Sequence, residues 1–249
     1  MVYAIIVLFG LVVGSFLNVL IDRLPKGENV VWKPSHCDYC KKPLRWFELF
    51  PVISYLIQGG RCRRCRHRLS VQYPAMECVT ALGFIGVFLY ANTSVLWLFI
   101  SLFIFSSLLV IFFIDVKHQI IPDSMLLVLL LSVLASGFPL SWPERGQHLA
   151  SALISGGLFL FLWTVTRGRG LGFGDVKLVA VLALFLGYPF MVIMLYTAFL
   201  TGAILGVILI VTHRAKMKTR IAFGPFLIAG FVNAIVFGEP ILAWWRSLL

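Results

Sequence analysis

An all-α polytopic membrane protein is the fold class that the sequence predicts. It has about eight transmembrane helices, with a small cytosolic, zinc-ribbon-like four-cysteine module between helices one and two. Three observations predict it. Of 249 residues, 60% are hydrophobic and only 12% charged, with a mean hydropathy of +0.97. Apolar runs close to the length of a bilayer span recur along the chain, which excludes a soluble domain. Finally, Lys and Arg gather on one side of the deduced spans, as cytoplasmic loops do.

The elements follow in order. Residues 2–20 are apolar apart from Ser15 and Asn18 and make the first span. With no basic stretch ahead of it, this run reads as a retained helix and not as a cleaved signal peptide. Residues 21–74 are rich in Lys, Arg, Pro and Cys and form the extramembrane module, in which 49–57 is an apolar patch too short to cross and suited to the interface. Further spans are expected at about 75–90, 95–114, 123–140, 149–166, 176–187, 190–212 and 221–237, and the tail 238–249 carries Trp244 and Trp245 as interfacial anchors. The domain organisation expected is 1–20 as first helix, 21–74 as module and 75–249 as a seven-helix core. No internal repeat is read.

Nineteen of the 21 Lys and Arg then fall on the face that holds the turns at 21–74, 115–122, 167–177 and 213–220, leaving Arg145 and Arg246 opposite. This split puts the module in the cytosol and both termini outside. The net charge of +11 is thereby explained by topology and by contact with membrane lipids, and no nucleic-acid partner is expected. The basic turn at 213–220 suits anionic headgroups.

The same topology brings Asp115, at the end of span three, and Asp175, at the mouth of span six, to one face and one depth. Ionisable groups at membrane depth are costly and mark function. Two neighbouring carboxylates do not both ionise cheaply, so one keeps its proton while the other activates water against a peptide carbonyl. The competing reading is that each Asp only caps or flanks a helix. Gly170, Gly172 and Gly174 alternate ahead of Asp175 and let a backbone approach it. Lys177 is expected to stabilise an ionised carboxylate or to bind a lipid phosphate. Asp123 reads as the N-cap of span four and Asp22 as a solvated flank. Glu77 is either a partner for a cation or a snorkelling side chain. Gly14, Ser15 and Asn18 serve either helix packing or a polar cavity, packing being preferred.

Cys37-x-x-Cys40 and Cys62-x-x-Cys65 are two knuckles with 21 residues between them, the spacing of a four-thiolate zinc site. A reducing cytosolic face argues against disulfides. Arg61, Arg63, Arg64 and Arg66 offset the negative charge of such a site. A thiol–disulfide centre is the alternative. His36 and His67 read as flanking groups, and Cys78 as a small buried residue. Two other functions stay open from the residues alone: an ion-coupled transporter with paired aspartates and a structural zinc module, and a membrane thiol oxidoreductase.

The whole chain resembles the bacterial prepilin peptidases, the aspartyl membrane proteases of type IV pili, type II secretion and competence pseudopili. The resemblance rests on Gly14-Ser15-Phe16-Leu17-Asn18-Val19 with Asp22-Arg23-Leu24-Pro25, Pro34-Ser35-His36-Cys37, Pro51-Val52-Ile53-Ser54-Tyr55 and Gly60-Arg61-Cys62. It continues through Tyr73-Pro74 with Glu77, Ile114-Asp115, Ile121-Pro122-Asp123, Gly172-Phe173-Gly174-Asp175-Val176-Lys177 and Phe223-Gly224-Pro225-Phe226. The pattern of glycines before Asp175 alone is shared with presenilin-like proteases; the ordered set is specific. The resemblance implies that Asp115 and Asp175 are the two catalytic aspartates. It implies a type IV prepilin or pseudopilin substrate, cut after a glycine at the cytosolic face of the bacterial inner membrane. It further implies N-methylation of the new N-terminus with S-adenosylmethionine, an activity associated with the cysteine module. No residue set for S-adenosylmethionine is read from the sequence.

Overall fold

The structure is a computed structural model that describes residues 1–32, 34–37, 39–90, 94–136, 142–168, 170–212 and 222–248. Lys33, Asp38, Arg169, the basic turn at 213–220 and the expected end of span four at 137–140 lie outside the described residues. The chain forms two compact units, Met1–Val110 and Ile111–Leu249.

In the first unit, α1 (Val2–Arg23) packs along α3 (Gln72–Tyr90). Small residues set the close approach, as between membrane helices. A Cβ at Gly10 would lie 2.6 Å from the Ala81 Cα, and one at Gly14 would lie 2.7 Å from the Glu77 Cα. The packing role expected of Gly14 is therefore what the structure has. Gly83 meets the Phe105 ring of α4 (Val95–His118) in the same fashion. Between α1 and α3 lie the two cysteine knuckles, 3₁₀ turns at Leu24–Lys26 and Trp46–Leu49 and the five-residue helix α2 (Ile53–Ile57). Phe50, Ile53, Leu56 and Ile57 of the short apolar patch are exposed.

In the second unit, α7 (Phe173–Leu186) is the central helix, touching α5 (Asp123–Ala135), α6 (Trp142–Thr166), α8 (Phe190–Val211) and α9 (Gly224–Ser247). Its buried residues Asp175, Val176, Leu178, Val179, Leu182 and Ala183 fall on a broad stripe at helical spacing. α6 starts before the expected 149 because its polar first turns find partners. His148 Nδ1 lies 2.9 Å from the Leu184 carbonyl, and Gln147 Nε2 donates to the Tyr188 carbonyl at 3.0 Å. α9 runs ten residues beyond the expected 237, so the tryptophan pair is the last turns of a helix and not a tail, with both rings exposed.

The eight expected spans all appear as helices. Six of them, α1, α3, α4, α6, α8 and α9, are long and apolar enough to cross a membrane. α5 and α7 have 13 and 14 residues, which reach only about 20 Å against a hydrocarbon core of about 30 Å.

Candidate active site and metal centre

α4 ends where Gln119 takes a left-handed conformation (φ 55°) and donates its N–H to the Asp115 carbonyl at 2.9 Å. That stop leaves Asp115 in the last turn, 4% exposed. Its Oδ2 accepts the N–H of Gly224, at the start of α9, at 3.0 Å. A helix N-terminus presents unpaired N–H groups and the positive end of the dipole, so it suits a carboxylate. Only glycine fits there: a Cβ at Gly224 would lie 2.6 Å from Asp115 Oδ2.

α7 begins three residues earlier than expected, and Asp175 is the cause. Its Oδ2 accepts the Gly172 N–H at 3.0 Å, while the Asp175 N–H donates to the Gly172 carbonyl at 3.1 Å. This is the reciprocal bonding of an N-terminal cap. Asp175 is 5% exposed, and its Oδ1 is buried with no hydrogen-bond partner among the described residues. Capping and buried chemistry thus coincide in one side chain.

The structure brings both aspartates into one neighbourhood of the second unit, and they interact electrostatically. Ile121 marks the meeting point. A Cβ at Gly174 would lie 2.9 Å from the Ile121 Cβ, and one at Gly224 would lie 3.4 Å from its Cδ1. Gly224 and Ile121 stand in motifs visible in the sequence, yet no role for either follows from the sequence, because each acts through a contact made by a distant turn.

Lys177 does not reach Asp175. Its Nζ donates to Asp123 Oδ1 at 2.6 Å, with the Lys177 side chain 41% and the Asp123 side chain 75% exposed, and it lies over the Phe173 ring. Asp123 is correspondingly not the N-cap of α5. Pro122 holds that position, and Asp123 sits in the first turn without a cap hydrogen bond.

In the first unit, Cys37, Cys40, Cys62 and Cys65 converge, with all four Sγ within 4.8 Å of one another. Cys37 Sγ and Cys65 Sγ are 3.9 Å apart, against about 3.8 Å for a tetrahedron of sulfurs around zinc. Four soft thiols in that arrangement fit zinc. The knuckles also repeat, contrary to the expectation from sequence. The N–H groups of Cys37 and Cys62 donate to the carbonyls of Lys42 and His67. Those of Lys41 and Arg66 donate back to Cys37 and Cys62, and those of Leu44 and Leu69 donate to Ser35 and Gly60. Lys41 and Arg66 both take positive φ, 55° and 58°. Every partner in the second knuckle is 25 positions after its counterpart in the first. The repeat is one of backbone bonding, largely hidden in side chains of different type. Backbone N–H groups of Cys65 and Arg64 hold the Cys62 thiol down to about 7, and burial pushes Cys37 up to about 11.

His67 stacks on Tyr39 across the knuckles, with centroids 4.3 Å apart, and is not among the clustered donors. Cys78 is exposed on α3 instead of buried and stands outside the cluster. Glu77 does not snorkel: it is buried, with Oε2 accepting the Val52 N–H at 2.7 Å. Asp22 is no solvated flank either, since it accepts the Tyr73 hydroxyl at 3.1 Å.

Comparison with known proteins agrees with this layout. Residues 8–91 match the bacterial peptidase A24 N-terminal domain, and residues 102–207 match the type IV leader peptidase family. Curated relatives include proteins named prepilin leader peptidase/N-methyltransferase. One from Bacillus subtilis is 32% identical, with 98% of each chain covered. One from Pseudomonas aeruginosa is 33% identical over 94% of this chain and 90% of its own. One from Legionella pneumophila is 30% identical over 98% and 94%. No solved structure matches the chain.

Proposed function

The chain belongs to the type IV leader peptidase family, and we therefore propose that it is a membrane aspartic endopeptidase that removes the leader of type IV prepilins or pseudopilins and N-methylates the new N-terminus. The observation that carries the reading is the buried pair Asp115 and Asp175, each with one oxygen fixed by a backbone N–H from a different turn. The transporter reading finds no support among the relatives named above, which bear enzyme names.

In this reading the two carboxyls share a proton. Asp175 Oδ1, buried without a partner, is the acceptor for a water molecule whose oxygen attacks the scissile carbonyl, and the protonated partner polarises the carbonyl oxygen. Gly224 and Gly172 fix the two carboxyl planes, and the missing side chain of Gly174 lets Ile121 pack against the start of α7. Lys177 supports the site at one remove, by tying α7 to α5 through Asp123. The excess of Lys and Arg on one face supports a cut at the cytosolic side of the bacterial inner membrane. Cys37, Cys40, Cys62 and Cys65 hold zinc, which organises the module at 21–74, and S-adenosylmethionine is the methyl donor. The remaining residues, 1–20 and 75–249, supply the first helix and the protease core.

The test is cleavage of a purified prepilin by the full chain in detergent, followed by mass spectrometry. Asp115→Asn and Asp175→Asn are each expected to lower cleavage by about 10³-fold while the protein still accumulates. Cleavage at the wild-type rate in either variant overturns the reading.

A further inference from the structure

The first unit encloses a cavity of about 180 Å³ between the ends of α1 and α3 and the first knuckle. Nothing in the peptidase chemistry uses it. Its lining holds Asp22, Glu28, Glu48 and Glu77, four of the ten acidic residues of a chain whose net charge is +11. Glu48 and Glu77 are buried, and each has one carboxylate oxygen taken by a backbone N–H, from Arg45 at 2.8 Å and from Val52 at 2.7 Å. Arg23, Lys26 and Lys41 also line the cavity, so the acidic groups exceed the Lys and Arg by one, and the Arg23 guanidinium donates to the carbonyls of Asn29, Val30 and Pro34. Asn18 supplies an independent sign of a ligand. It is 3% exposed, and its Nδ2 donates to the carbonyls of Gly14 and Tyr73, yet its Oδ1 is buried with no hydrogen-bond partner among the described residues. A buried acceptor left unpaired is costly unless something donates to it.

We propose that this cavity is the acceptor subsite for methyl transfer, binding the terminal ammonium of the cleaved substrate through Asn18 Oδ1 and the carboxylates of Glu77 and Asp22. The proposal rests on the N-methyltransferase half of the function above. An ammonium carries N–H donors and no acceptor, which answers an unpaired amide oxygen set among carboxylates. Its volume suits one terminal residue. For the transfer, the ammonium gives one proton to the Glu77 carboxylate. The freed lone pair then forms the new N–C bond to the methyl of a sulfonium donor, while the C–S bond breaks with its electrons remaining on sulfur.

The test compares binding, by calorimetry on the full chain in detergent, of a short peptide with the mature pilin N-terminus and of the same peptide N-acetylated. The free amine is expected to bind roughly tenfold more tightly. That preference is expected to disappear in Glu77→Gln, which keeps an acceptor for the Val52 N–H, and to shrink in Asn18→Ala. Methylation of pre-cleaved pilin falls in parallel, while retained zinc shows that the module is folded. Should Glu77→Gln lose zinc, the preference in Asn18→Ala decides. Equal binding of both peptides to a wild-type protein that does methylate overturns the cavity assignment alone. A wild-type protein that cleaves but never methylates removes the underlying reading, and this inference with it.

Discussion

A single missing carbon decides the position of Asp115. Replacing Gly224 by alanine puts a Cβ only 2.6 Å from Asp115 Oδ2, so the carboxyl must move and lose its backbone donor. Displacements of that size cost roughly 10²-fold in rate. Gly224→Ala is therefore expected to cut kcat for prepilin cleavage by about that factor in the folded protein, and a kcat within twofold of wild type would refute the fixing role. Lys177 makes the opposite case. Its ion pair with Asp123 is exposed on both sides, and such pairs contribute about 0.5 kcal/mol. Lys177→Met should leave the melting temperature nearly unchanged, and a large drop in a thermal shift assay would show that the pair holds α5 to α7 more firmly than its exposure suggests.

Among the elements, the knuckles carry a pH prediction. Metal binding needs thiolates and so releases protons. Burial holds Cys37 protonated up to about pH 11, while Cys62 ionises near pH 7. Zinc affinity should therefore fall as pH drops from 8 to 6, approximately as for other thiolate sites, with protons released on binding at pH 7. Calorimetry in buffers of different ionisation enthalpy measures that release, and a pH-independent affinity would contradict a thiolate site. What the sequence made legible follows from the range of each interaction. The apolar runs, the CxxC pairs and the aspartates at span ends are local patterns, and the helices and the cysteine cluster stand where those patterns put them. The early start of α7, the pairing of Lys177 with Asp123 and the support of Asp115 by Gly224 depend on partners 3, 54 and 109 positions away. The first was within reach of capping rules, since an acidic residue three positions after a glycine can bond back to its N–H. The other two needed the folded chain.

At the scale of the whole molecule, the distribution of charge predicts an orientation. A reporter fused after Leu249 should be active only on the outer side of the inner membrane, and one inserted in the turn at 27–31 only in the cytosol; the reverse pattern would invert the topology. The brevity of α5 and α7 bears on a different quantity, the supply of water. Each turnover consumes a water molecule in a solvent that holds almost none. Asp175 opens a helix of only 14 residues, packed against one of 13, so beside them the bilayer must thin or the aqueous boundary must dip inward, at a cost that grows with lipid chain length. The reaction would then draw its water through a local shallow in the membrane. In vesicles of increasing acyl length the cleavage rate should fall stepwise, and a rate indifferent to thickness would mean that water reaches the carboxylates by another route.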